Sequence, residues 1–259
     1  MSTQKGKGMG VRVLCFAHAG AGVSAFHRWP RLVGPGVETK PWLLPGRDGR
    51  RGEARVTDRD ALLADLAPLV ESSVRAGEPY VLYGHSLGGM VAYTLARHLH
   101  ARGLPLPALL AIGALPPPDA PAALATCADL PDAELLQVLD TLDAVPAGTA
   151  PGDLWHRSVF PVLRDDLRLA GALRAAAREP AAEGPLPVPV LAVAGREDTL
   201  GTPQALTGWA RWTTGPFVHR TVPGGHFFVR DKALPRLIGR AARVVERAAT
   251  PAPAVAPGR

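Results

Sequence analysis

Apolar residues in this chain gather into short continuous runs separated by polar, Gly- or Pro-rich stretches. Val11 to Ala17, Tyr80 to Tyr83 and Val188 to Ala194 are such runs, and so is the later, proline-free half of Leu104 to Gly113. Continuous runs of this length are what strands covered on both faces require, as in a parallel sheet. Glu38 to Leu44 and Phe217 to Val222 complete the set as a second and a last strand. Between them lie helical patterns. Asp60 is placed to cap a helix running through Arg75, with Leu62, Leu66, Leu69, Val70 and Val74 as its core stripe. Pro68 inside that stripe predicts a kink or break. Further helices are predicted over Met90 to Leu99, Asp132 to Leu142, Phe160 to about Arg178 and Leu234 to Ala248. Strand and helix alternate, which gives an α/β fold: a mostly parallel central sheet with helices on both faces. The stretch from Ala120 to Ser158 holds no strand and lies between two sheet strands. It predicts an inserted helical lid over about 120–180. Residues 1–10 are polar and Gly-rich and predict a flexible arm, 11–248 a single domain, and 249–259 a disordered Pro/Ala tail.

One junction in this pattern carries chemistry. The Tyr80–Tyr83 run passes directly into Gly84-His85-Ser86-Leu87-Gly88, and the helix follows. G-x-S-x-G between a strand and a helix is the context of a nucleophile elbow, with Ser86 at the apex of a sharp turn. The glycines permit the turn and let the helix pack close. Serine needs a base to take its proton as it attacks. His226 follows Pro223-Gly224-Gly225 after the last strand and is suited to that work at neutral pH. An acid to hold the imidazole is expected at the C-terminal end of the preceding strand, where Asp198 lies in Gly195-Arg196-Glu197-Asp198. Asp119, past an earlier strand, is an alternative, and Glu197 is adjacent. The order Ser86, Asp198, His226 is that of α/β-hydrolases. In that fold the loop after an early strand donates one oxyanion N–H, and His18-Ala19-Gly20-Ala21-Gly22 occupies that place.

Composition narrows the field. The chain is 47% hydrophobic and 20% charged, ordinary for a soluble domain with a full core, and its net charge is +6. No Lys/Arg run with interleaved aromatics points to nucleic acid, so the positive charge is read as steering for an acidic protein partner. Arg47, Arg50 and Arg51 share one loop. They would contact phosphate or an acidic partner, or else pair with local carboxylates. Cys15 and Cys127 are far apart in sequence, and Cys15 reads as a small buried hydrophobe. No His/Cys cluster has zinc spacing, and no metal is expected. No signal peptide or membrane-length apolar run is visible, so a cytoplasmic protein is expected.

Several segments together resemble the type II thioesterases of polyketide and non-ribosomal peptide synthesis. They are His18-Ala19-Gly20, Pro45-Gly46-Arg47 with Arg50, Gly84-His85-Ser86-Leu87-Gly88-Gly89, Phe160-Pro161-x-Leu163-Arg164-x-Asp166, Gly195-x-x-Asp198 and Pro223-Gly224-Gly225-His226-Phe227-Phe228. They run in the family's order from about Val11 to Arg247. The resemblance implies an α/β-hydrolase fold and a monomeric serine thioesterase without a cofactor of its own. Its substrates would be acyl groups on the phosphopantetheine arm of acyl or peptidyl carrier proteins. The oxyanion donors map to the backbone N–H groups of Ala19 and Leu87. Arg47, Arg50 and Arg51 become candidates for carrier docking. Departures are Ala19-Gly20-Ala21-Gly22 where the family reads Ala-Gly-Gly, Ala114-Leu115 where it has Ser-Gly-Arg, and Leu-rich sequence after Asp166. They bear on acyl specificity. Two other readings are an acyltransferase using the same acyl-serine and a silent carrier-binding module.

Overall fold

Six strands carry the fold: β1 (Val11–Phe16), β2 (Val37–Trp42), β3 (Tyr80–His85), β4 (Leu109–Gly113), β5 (Val190–Gly195) and β6 (Phe217–Val222). They form one sheet in the order β2-β1-β3-β4-β5-β6, with each neighbouring pair parallel. Seven α-helices are present among the described residues: α1 (Arg59–Ser73), α2 (Leu87–Ala101), α3 (Asp132–Thr141), α4 (Leu154–Ser158), α5 (Phe160–Arg178), α6 (Pro203–Leu206) and α7 (Ala233–Ala249). The computed structural model describes residues 10–74, 78–121, 124, 127–141, 145, 150, 152–180 and 182–249. The expected N-terminal arm, apart from Gly10, and the tail from 250 onward lie outside them, as does Arg75.

The two faces of the sheet are sorted by the period-two geometry of a strand. Leu14, Leu82, Leu110 and Ile112 point to one face, where α1, α2 and the C-terminal half of α5 cover them. Val13, Val81, Tyr83, Ala111 and Val193 point to the other, where Leu234, Ile238 and Ala242 of α7 pack. Both faces are dry, which is why the strands read as continuous apolar runs. Cys15 and Cys127 are buried free thiols, and burial pushes the Cys15 thiol well up.

Helix α5 joins two cores. Leu169 and Leu173 belong to the main core, while Phe160, Leu163 and Leu167 form a second cluster with Cys127, Leu135 and Leu139. That second cluster lies in the segment expected to form a lid.

The first helix departs from expectation in its cap and its buried stripe, and of the expected kink or break at Pro68 the break is absent. Its cap is Asp58, whose side chain accepts the Ala61 N–H at 2.8 Å, and Asp60 sits in the first turn. The helix runs through Pro68 as one element. Pro68 and Ala64 both face outward, so the Ala64 carbonyl that loses its partner meets water. Leu69 is 43% exposed, and the stripe that packs inward is Leu62, Leu66 and Val70.

Close approach of backbones fixes where α2 meets the sheet. A Cβ at Gly84 would overlap the Gly88 carbonyl, and one at Gly88 would overlap the Phe16 carbonyl. Gly88→Ala is therefore expected to cost ~3 kcal/mol or more in chemical denaturation. Gly49→Ala, which meets nothing within 4 Å, should change stability by less than ~0.5 kcal/mol. Similar behaviour of the two variants would contradict the packing account.

Candidate active site

Strand β3 delivers Ser86 to the C-terminal edge of the sheet, where open α/β sheets place their chemistry. Its N–H donates to the Gly113 carbonyl at 2.8 Å, which extends the β3–β4 pairing past His85. The backbone there takes φ 53° and ψ −119°, a left-handed φ that is strained for serine. The elbow survives because β3, β4 and α2 over-determine it. It lifts the hydroxyl out of the strand and starts a helix of 15 residues immediately after.

Three side chains meet at this point. His226 Nε2 lies 3.1 Å from Ser86 Oγ, and His226 Nδ1 lies 3.1 Å from each oxygen of Asp198. With Nδ1–H donating to the carboxylate, Nε2 is left to accept from the Ser86 hydroxyl. Asp198 is buried, and its Oδ1 also accepts the N–H groups of Leu200 and Gly201, both at 2.9 Å. Asp119, the alternative acid, is held elsewhere by Arg211 and by Trp212 Nε1. Glu197 accepts the Gly224 N–H at 2.6 Å and so steadies the turn that presents His226.

The loop after β1 lies beside this triad. Gly88 of α2 packs on the carbonyls of Phe16 and Ala17, bringing the loop against the start of the helix. The N–H groups of Ala19 and Leu87 make no backbone hydrogen bond among the described residues, and both residues line the same cavity as Ser86. What fixes the loop is Asp166 of α5. Its Oδ2 accepts the Gly20 N–H at 2.7 Å and Arg47 Nη1 at 2.7 Å, and its Oδ1 accepts Arg47 Nη2 at 2.6 Å. Arg47 also donates to the Ala21 carbonyl.

Of the two readings of the arginine loop, pairing with carboxylates holds for Arg47 and Arg50. Arg47 is 8% exposed and faces inward as half of a buried ion pair, so it is not on the rim. Arg50 is engaged by Asp65, Glu53 and the Leu43 carbonyl, and these acids raise its pKa further. Arg51 alone of the three is exposed and has no side-chain partner among the described residues. The Asp166 role was missed from sequence. Its only signal there was the Arg164-x-Asp166 spacing, which names the residue but not its partner.

Two further imidazoles are buried at the site. His85 is fully enclosed, and its Nε2 lies 2.7 Å from the His226 carbonyl, which can only accept. Nε2 therefore carries the proton, and Nδ1 accepts from the Tyr83 hydroxyl at 2.8 Å. His85 thus ties the backbone of the base to strand β3. Burial pushes the His85 pKa well below the ordinary value, helped by the nearby His226 and His18. Burial also pushes His18 down to about 3, with Arg230 and His226 adding to the effect.

The triad opens into a cavity of about 910 Å³. Its walls include Leu124, Leu139, Trp155, Leu163 and Leu167 from the 120–180 segment, with Met90 and Leu115 from the body. Arg174 of α5 also lines it and donates to the carbonyls of Pro116, Pro117, Pro118 and Ala120, which ties the start of that segment to α5. Among the described residues, no group of three or more His, Cys, Asp or Glu side chains is placed to hold a metal ion. Among the described residues, no helix is long and apolar enough to cross a membrane.

Two expectations follow. Asp166→Leu strands the Arg47 guanidinium in the interior and should cost ~3–5 kcal/mol, while Arg47→Leu/Asp166→Leu should recover much of that. Denaturation midpoints decide it, and a double variant as unstable as the single contradicts the pairing. The second concerns pH. The folded pKa values of His18 and His85 lie below the unfolded value of ~6.5. The unfolded chain therefore binds more protons below that pH, and stability present above it is lost as pH falls. His18, held down to about 3, should contribute on the order of 1 kcal/mol per pH unit as pH falls below about 6.5, and His85 acts in the same direction. Stability that stays level from pH 7 to 5 would contradict the neutral buried state.

Comparison with known proteins agrees with this geometry. The family model described as a thioesterase domain matches residues 11–243. Thioesterase PikA5 of Streptomyces venezuelae is 33% identical over 86% of this chain and 76% of its own length. The solved structure of RedJ, a thioesterase from the prodiginine pathway of Streptomyces coelicolor, is 32% identical with a TM-score of 0.79, covering 89% of this chain and 85% of that one. The type II thioesterase BorB from the borrelidin biosynthetic cluster is 31% identical with a TM-score of 0.76, covering 91% and 94%. These likenesses span the sheet, the elbow and the 120–180 segment together, with a Ser–His–Asp arrangement that suits thioester hydrolysis: the chain belongs to the thioesterase family.

Proposed function

We propose that this protein is a type II thioesterase that hydrolyses acyl groups from the phosphopantetheine arm of carrier proteins in polyketide or non-ribosomal peptide assembly. The observation that carries the reading is the Ser86–His226–Asp198 hydrogen-bonded chain opening onto a cavity walled by apolar side chains of the 120–180 segment. An acyl chain fits such a wall. The relatives from prodiginine and borrelidin biosynthesis support that class of substrate. The net charge of +6 suits an acidic carrier, and Arg51 is the exposed arginine of its loop that remains free to meet one.

The chemistry then runs in two halves. Ser86 Oγ attacks the thioester carbonyl as its proton passes to His226 Nε2, and Asp198 stabilises the imidazolium that forms. The oxyanion is held by the N–H groups of Ala19 and Leu87, at the positive end of α2. The C–S bond breaks, the pantetheine sulfur takes the proton from His226, and the acyl group remains on Ser86. Water then gives a proton to His226 and attacks the acyl-serine, which releases the free acid and returns the proton to Ser86. Every step uses the chain's own residues, and phosphopantetheine enters as part of the substrate.

Intact-mass analysis of a panel of acyl-loaded carrier proteins tests this. The wild type should strip the acyl mass and yield free acid. Ser86→Ala should slow that by several orders of magnitude, as loss of a nucleophile does. Acyl mass appearing on an alcohol, an amine or a second carrier would indicate transfer instead. Carriers left loaded would refute the reading.

A further inference from the structure

His18 is buried to 6% exposure, yet the triad does not use it. Its Nδ1 is enclosed and has no hydrogen-bond partner among the described residues. Such an atom costs free energy unless something completes it. The ring is held by packing: Phe227 lies edge-on at 5.1 Å and His85 at 5.9 Å. Phe227 in turn touches the His226 ring at 5.3 Å and carries the Arg230 guanidinium at 5.4 Å. His18, Phe227, His226 and Arg230 all line the catalytic cavity.

That cavity has two kinds of wall. Leu139, Trp155 and Leu167 are apolar, while Arg28, Asp48 and Arg230 are polar and exposed. An acyl chain partitions to the first kind and the hydrophilic arm of a thioester to the second. His18 reaches Arg230 through one shared ring, so it stands on the arm side and next to the base. The arm's first amide is separated from the thioester sulfur by two carbons. With Nδ1 enclosed, the neutral imidazole meets it through Nε2, as donor or acceptor according to the tautomer.

We propose that His18 is a specificity-determining residue that hydrogen-bonds the amide nearest the sulfur in the pantetheine arm. The inference rests on the thioesterase reading but is tested with small thioesters alone. The probes are the N-acetylcysteamine and pentanethiol thioesters of one acyl group, which are alike in length and differ in the amide. The wild type should favour the cysteamine thioester in kcat/KM by roughly tenfold to a hundredfold. His18→Phe, checked for an unchanged melting temperature, should bring that ratio near one. His18→Gln keeps a donor and an acceptor and should retain part of the preference. A wild type indifferent to the amide overturns the proposal, as does a His18→Phe variant that loses both thioesters equally. A wild type whose preference is lost in His18→Phe, yet which leaves carrier proteins loaded, would refute carrier hydrolysis while upholding His18.

Discussion

The ion pair between Arg47 and Asp166 is the constraint on which the site depends. It joins three segments with no sequence proximity: the loop after β2, the glycine loop after β1, and helix α5. Burying two charges is costly, and such a pair holds only when its geometry is bidentate and its remaining lone pairs are filled. Asp166 meets that condition, with both oxygens on Arg47 and one also on the Gly20 N–H. Arg47 meets it less completely, because its Nε is buried without a partner. The result is a glycine loop that does not depend on its own flexible backbone for position. The Gly20 N–H, next to Ala19, is held by a carboxylate on the helix that also walls the cavity.

The rest of the site follows the same logic of side chains fixed by distant partners. Asp198 is pinned by two backbone N–H groups and in turn pins His226. His85, next to the nucleophile, holds the carbonyl of that same His226. Nucleophile and base are thus linked twice, once through the reacting hydrogen bond and once through a neutral imidazole that takes no part in the reaction. Preorganisation of this kind means that donors need not reorient when charge develops. It has a cost in stability, since Ser86 is held in a strained backbone and two imidazoles are kept from protonating.

Much of this was legible in the chain where the signal is local. The buried strands announce themselves because both faces of a parallel sheet must be apolar. The elbow is read from a strand, a Gly-x-Ser-x-Gly turn and a helix in direct succession. Local signals fail where a partner decides the outcome. The helix cap lies two residues earlier than Asp60 because Asp58, not Asp60, presents its oxygen to the Ala61 N–H. Pro68 does not end α1 because the carbonyl it orphans faces water. The arginine loop was open to two readings because sequence shows three charges but not that Asp166 lies 119 residues away and beside Arg47. The resemblance to a family contained both residues of that pair without saying that they meet.

The central claim is that the Arg47–Asp166 pair sets the oxyanion donors rather than merely the stability of the loop. The most direct test is binding of a trifluoromethyl ketone analogue of the thioester, which adds to Ser86 and places an oxyanion where the reaction would. Its affinity is compared with that of an unreactive thioether analogue, in the wild type and in the folded Arg47→Leu/Asp166→Leu variant. The account predicts that the variant loses roughly tenfold or more in ketone affinity while the thioether binds as before, the mark of an interaction made only in the transition state. Equal ketone affinity in the two proteins would contradict it.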